Sequence, residues 1–261
     1  MARLVVVGGG RMGEALVTGL LAGGWVAGDI TVVEVSPERR AAIADQLRGV
    51  DVVAEPAAAD GAVVAVKPGD VEAACTALAA SGVGRVLSIA AGVPTARLEA
   101  ALGDGVPVIR AMPNTPALVG AGVSAIAAGT EAGDEDLEWA RSILGAVGEV
   151  VTVPERLLDA VTGLSGSGPA YVFLVVEALI DAGVLAGLPR DVAETLAIGT
   201  VAGAGRLLVE TGDSPAELRA AVTSPGGTTA AGLRALEQAG TRAAFLDAVM
   251  AATERSRELG T

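Results

Sequence analysis

Through the first 153 residues, short apolar runs alternate with longer stretches of mixed polarity. The runs at 3–8 (RLVVVG), 30–35 (ITVVEV), 51–53, 62–66 (AVVAV), 85–89, 106–110, 123–128 and 149–153 are brief and rich in Val, Ile, Leu and Ala. Most are bounded by turn residues, the pattern of strands buried on both faces. Between them, 14–24 (EALVTGLLAGG), 37–47, 71–80 and 135–146 place apolar residues at helical spacing. Alternating strands and helices over about 150 residues predict an α/β domain on a doubly wound, mostly parallel sheet.

After Pro154 the period changes. No further strand is expected, and 155–162, 169–186, 190–211, 215–222, 229–239 and 241–259 read as helices. The predicted division is therefore an α/β domain over 1–153 and an all-α domain over 154–261. Pro169 suits a first helical turn, with Ser165 and Ser167 as candidate caps. The helix that follows is apolar on most faces, which calls for burial. A helical domain of about 100 residues has little surface with which to bury it, so a second subunit is expected there.

Composition narrows the chemistry. Hydrophobic residues are 51% and aromatics only 2%, so Val, Leu and Ala must fill the core. A net charge of −13 argues against nucleic acid or an anionic membrane as partner, because phosphate contacts need a basic surface. Cys75 is the only cysteine, so no internal disulfide can form, as expected in a reducing cytoplasm. Its expected place is a buried one on a helix. No leader is expected, since a strand pattern starts at Arg3. The apolar run 171–176 stops at Glu177, too short to span a bilayer. Histidine is absent, which leaves acid–base work to a hydroxyl, carboxylate, lysine or water. No ligand cluster has zinc spacing, so no metal is expected. Lys67 is the only lysine.

Two stretches carry candidate chemistry. Gly8, Gly10 and Gly13 give G-x-G-x-x-G between the first strand and first helix, a context that points to a dinucleotide site of the Rossmann type. Glu34 stands near the end of the second strand, about where an acidic residue holds a ribose diol, which favours NAD. Ser36, Arg39 and Arg40 follow at once and could hold a 2′-phosphate, so NADH and NADPH both stay open. Val66, Lys67 and Pro68 fall where open α/β sheets bind ligands, beyond a strand's carboxyl end. Ala90, Ala91 and Gly92 are small enough to let a nicotinamide ring lie close, and Asn114 follows the sixth strand in a Pro-containing turn. The second stretch is 222–229 (VTSPGGTT). Ser224 and Pro225 suit a helix start, Gly226 and Gly227 a sharp turn, and Thr228 and Thr229 the opening of the next helix. Unpartnered amides at such a start suit a small carboxylate, although an ordinary capped turn uses the same residues.

Residues 163–171 (GLSGSGPAY) and 223–229 (TSPGGTT) together resemble the pyrroline-5-carboxylate reductase signature. GGGRMGEAL near the N-terminus, AVKP at 65–68, SIAAGV at 88–93 and RAMPNTPA at 110–117 match the same family in the same order. The resemblance implies reduction of L-1-pyrroline-5-carboxylate to L-proline with NADPH or NADH, the last step of proline biosynthesis. It implies a Rossmann domain joined to a helical dimerisation domain, a homodimer with substrate at its interface, and decamers built from dimers. It adds Arg11 and Met12 to the cofactor site, with Lys67 and Asn114 on the nicotinamide and ribose side. The substrate carboxylate falls to Ser224, Gly226, Gly227 and Thr228, and the ring nitrogen to Thr229. The family's usual NADPH preference stays open here, because no arginine follows Glu34 directly. The competing readings are another imine or hydroxyacid dehydrogenase and a non-catalytic NAD(P) sensor. Hydroxyacid chemistry in the first group resembles a lysine-dependent mechanism, with the lysine on a helix after the Rossmann domain, and no lysine follows Lys67.

Overall fold

Strand β1 (Ala2–Val7) opens the chain at the middle of a sheet, and its successive side chains point to opposite faces. Leu4 and Val6 enter one apolar cluster, Val5 and Val7 the other. This double burial explains why the sequence shows a continuous run rather than an alternating one. The computed structural model describes residues 2–260, which divide into two units: 2–167 with 250–260, and 168–249.

In the first unit, α1 (Arg11–Ala22), β2 (Ile30–Val33), α2 (Pro37–Gln46), β3 (Asp51–Val53) and β4 (Ala59–Val64) follow β1. Then come α3 (Val71–Ser81), β5 (Val86–Ser88), α4 (Thr95–Leu102), β6 (Val108–Met112), β7 (Gly122–Ala128), α5 (Asp134–Leu144) and β8 (Gly148–Thr152). Among the described residues eight strands form one sheet of order β3-β2-β1-β4-β5-β6-β7-β8. All neighbours are parallel except β6 and β7. The doubly wound, mostly parallel sheet is thus as expected. Two strands end two residues sooner than expected. β2 stops at Val33, because the Glu34 carboxylate accepts from the Ser36 amide and Ser36 caps α2. β4 stops at Val64, leaving 65–67 beyond the strand end. Helix α4 has no counterpart in the sequence reading. Its eight residues bury only Thr95, Leu98 and Leu102, too short a stretch for a clear period.

After β8 the expected single helix at 155–162 is three pieces: a 3-10 turn at Glu155–Leu157, α6 (Leu158–Val161) and a π turn at Thr162–Gly166. The π turn closes with the Ser167 amide donating to the Thr162 carbonyl at 2.8 Å. Ser165 does not cap the next helix, since its hydroxyl donates back to the Val161 carbonyl at 3.1 Å. Two polar braces tie these turns to the sheet. Asn114 Nδ2 donates to the Ser165 carbonyl, and its Oδ1 accepts from the Val123 amide. Glu155 accepts from the amide and hydroxyl of Thr95 and from the guanidinium of Arg110, which is only 8% exposed on β6. Partial burial pushes the Glu155 carboxyl upward, but the Thr95 bonds and the Arg110 charge outweigh it and hold it below the usual range.

The second unit contains α7 (Gly168–Leu185), α8 (Arg190–Thr211), α9 (Pro215–Ala221), α10 (Thr228–Gln238) and the start of α11 (Thr241–Leu259). Helices α7 and α8 meet through Val176, Ile180, Ala193 and Ala197. The approach is close: a Cβ on Gly183 would lie 3.0 Å from that of Ala193. The burial expected for α7 is not supplied by this chain, where Phe173 is 62% and Leu174 65% exposed. The bilayer argument from sequence also needs correction. Residues 155–185 and 190–211 form helical stretches long and apolar enough to cross a membrane by length and composition, with mean hydropathy 1.7 and 1.4. Counting one uninterrupted apolar run missed this, because Glu177 breaks the run without breaking the helix.

Candidate active site

A cavity of about 780 Å³ opens beyond the carboxyl ends of β1, β2, β3 and β4. The glycine turn after β1 forms one wall. Gly8 has φ +106°, and a Cβ there would meet the Ala65 carbonyl oxygen at 2.5 Å. Gly13 backs against the same turn, since its Cβ would lie 2.1 Å from the Gly8 carbonyl oxygen. Gly10 differs: it is the N-cap of α1, and a Cβ there would meet nothing within 4 Å. Two glycines therefore close the turn, and the third leaves the helix start open to a ligand.

Glu34 lies beside this turn. Its Oε2 accepts from the Gly9 amide at 3.2 Å and its Oε1 from the Ser36 amide at 2.9 Å. Val35, Ala54, Pro56, Ala73 and Ala77 add an apolar flank. Val66 and Lys67 enter from the end of β4. An open helix start, a fixed carboxylate and an apolar flank fit a nicotinamide dinucleotide: phosphate, ribose diol and adenine respectively.

Of the cofactor residues expected from sequence, the cavity brings together Gly8, Gly10, Glu34, Val66 and Lys67. Met12 packs into the apolar cluster on one face of the sheet, and Pro68 opens a 3-10 turn ending at Asp70. Arg11 lines a different groove, with Thr18, Leu118 and Val119. Ser36 accepts from the Arg39 amide as the cap of α2. Arg39 donates to the Gly9 carbonyl at 2.8 Å and pairs with Glu14 at 2.5 Å. Ala90, Ala91 and Gly92 follow β5, and the Cβ position of Gly92 lies 3.6 Å from Leu259. Asn114 is the brace described above. Sequence reading missed Glu55 and Asp70 on the cavity wall. The available signal was position, since Glu55 lies just past β3 and Asp70 just before α3. Cys75 is buried on α3, and burial pushes its thiol up to about 11, which makes it inert.

The loop at 222–229 lies in the second unit. Helix α9 ends at Ala221 and α10 begins at Thr228, capped by Gly227 without a side-chain bond. Ser224 and Pro225 thus belong to the turn before the helix, not to its start. The Gly227 amide donates to the Ser224 carbonyl at 3.0 Å, and Gly226 has φ +71°. The amides of Thr228, Thr229 and Ala230 find no acceptor among the described residues. Serine and threonine hydroxyls therefore flank a helix start with open donors.

Residues 155–259 match the family model described as pyrroline-5-carboxylate reductase dimerisation, and residues 3–92 one described as NADP oxidoreductase, coenzyme F420-dependent. A pyrroline-5-carboxylate reductase from Corynebacterium melassecola is 44% identical, over 100% of this chain and 99% of its own. The structure of a pyrroline-5-carboxylate reductase from Coxiella burnetii superposes with a TM-score of 0.93 at 37% identity, covering 100% of this chain and 99% of that one. A pyrroline carboxylate reductase from Plasmodium falciparum with NADP bound superposes at 0.83 and 28% identity, covering 100% and 98%. The chain is an NAD(P)H-using oxidoreductase and belongs to the pyrroline-5-carboxylate reductase family.

Proposed function

We propose that this chain reduces L-1-pyrroline-5-carboxylate to L-proline, completing proline biosynthesis. The open amides of Thr228, Thr229 and Ala230, behind the Gly226-Gly227 turn, carry the reading from geometry. With the Ser224 hydroxyl and the Gly226 amide, they hold the substrate carboxylate at the positive end of α10, whereas the Gly227 amide, expected from sequence to join them, is already spent on the Ser224 carbonyl. When bound in the cavity of the first unit, the reduced nicotinamide supplies a hydride to the imine carbon. The imine nitrogen must gain or keep a proton, and a cyclic imine is basic enough to be partly protonated near neutral pH. The chain therefore needs no histidine. The Thr229 hydroxyl, unpartnered within the described residues, donates a hydrogen bond to the ring nitrogen, orients it and relays a proton from solvent to the share of imine that is unprotonated.

The exposed faces of α7 and α8 pack against a second copy, and the dimers assemble into decamers in the cytoplasm. The match of 155–259 to a dimerisation domain supports the dimer, and the decamer rests on the family resemblance. Lipid is a poor alternative cover, because Glu177 and Asp181 would enter the hydrocarbon with α7. The direct test adds DL-pyrroline-5-carboxylate to protein with NADH or NADPH and follows nicotinamide absorbance. Oxidation with proline as product supports the reading. Cofactor binding without oxidation by either overturns it.

A further inference from the structure

We propose that this chain selects NADH over NADPH, with Glu34 as the residue that rejects the 2′-phosphate. The inference rests on reading the first-unit cavity as the dinucleotide site. Three observations carry it. The first is how Glu34 is held. Backbone amides of Gly9 and Ser36 grip both its oxygens, so the carboxylate cannot swing away from the cavity it lines without leaving two amides unpaired. Each oxygen keeps a free lone pair to accept from a ribose hydroxyl.

The second observation is where the arginines point. Arg39 donates Nε to the Gly9 carbonyl and pairs its terminal nitrogen with Glu14 on α1. Arg40 donates to the carbonyls of Glu34 and Val35 at 2.7 and 2.9 Å. Recruiting Arg39 to a phosphate would strand Glu14 and break its bond to the glycine turn. The two cations that could reverse the preference thus hold the loop that presents Glu34.

The third is the charge around the cavity: Glu34, Glu55 and Asp70 against Lys67 alone. Lys67 follows β4, which is separated from β2 by β1. At the usual strand spacing that is about 10 Å away. A 2′-phosphate beside Glu34 would bring about two negative charges against a carboxylate, with Arg39 and Arg40 already engaged and no other cation on the cavity wall nearer than Lys67, whereas a diol donates to it.

The test measures binding to the full-length protein calorimetrically, without substrate. Ligands are NADH and NADPH, and ADP-ribose with and without a 2′-phosphate. The expected result is NADH and ADP-ribose binding at least about tenfold more tightly than their 2′-phosphorylated forms. Glu34→Gln, which keeps size and removes charge, should shrink that ratio severalfold, and Glu34→Ser should abolish it. Glu55→Gln lies outside the amide grip and should shrink it less. Equal or tighter binding of the phosphorylated forms by the unaltered chain overturns the inference. So does a ratio unchanged in both Glu34 variants that retain the native melting temperature. Turnover of pyrroline-5-carboxylate is measured separately. Turnover with NADPH preferred would sink this inference and leave the proposed function standing, and NADH-selective binding without turnover would do the reverse.

Discussion

Thr229 and Ser224 belong to one loop but carry different parts of the proposed chemistry, so steady-state kinetics should separate them. Thr229→Ala should lower kcat by about 10²–10⁴, the usual loss when a positioned proton donor is removed. Thr229→Ser should restore much of it, and an unchanged kcat in the alanine variant would take this hydroxyl out of the reaction. Ser224→Ala should mainly raise KM, through loss of a charge-assisted hydrogen bond of about 1.5–3 kcal/mol. Glu155 makes a different prediction. Its carboxyl is lowered in the folded chain, so its stabilisation is complete above the unfolded value and is lost as pH falls through the folded one. Glu155→Gln should therefore cost about 1–2 kcal/mol at pH 7, discounted for partial exposure. The gap in denaturation midpoint between the two proteins should close below about pH 4. Residues such as Glu34 and Lys67 were legible because they stand at strand ends with a sequence signal beside them. Glu155 was not, because Thr95 and Arg110 are 60 and 45 residues away and no local pattern records such a partnership.

Two helices set off by proline or glycine were read to the residue: α8 runs 190–211 between Pro189 and Gly212, and α11 starts after Gly240; α5, between Gly133 and Gly145, was read as 135–146 and runs 134–144. Elements held by tertiary contact were not. Helix α4 has two turns and no long period. The π turn at 162–166 depends on Gly166 lying against Met112, where a Cβ would meet Cε at 2.5 Å. The antiparallel pairing of β7 with β6 likewise leaves no mark on composition. The apolar character of α7 was legible, and its consequence belongs to assembly. Phe173 and Leu174 are exposed in the single chain, so a charge at either costs that chain little and a buried interface much. Leu174→Asp should yield a folded species of lower mass by sedimentation. A mass unchanged from the parent would show that another surface joins the copies.

For the molecule as a whole, the two units divide after Ser167, and the first regains the end of the chain from residue 250. A division at 153/154 follows the change of period, whereas compactness also counts the return of α11, where Ser256 donates to Asp159 at 2.7 Å across 97 residues. Such a return carries no compositional signal. If the second unit owes its core to a second copy, stability is tied to protein concentration. The melting temperature should rise across a hundredfold dilution series read from dilute to concentrated, and a flat series would argue for subunits stable alone. One lysine in 261 residues, on the wall of the cavity proposed to take the dinucleotide, also makes the chain its own occupancy gauge. An acylating reagent finds a single side-chain target, shielded whenever the cavity is filled. The mass added to the peptide that carries this side chain, read apart from the acylated N-terminal amine, then counts empty sites with no engineered label and no turnover.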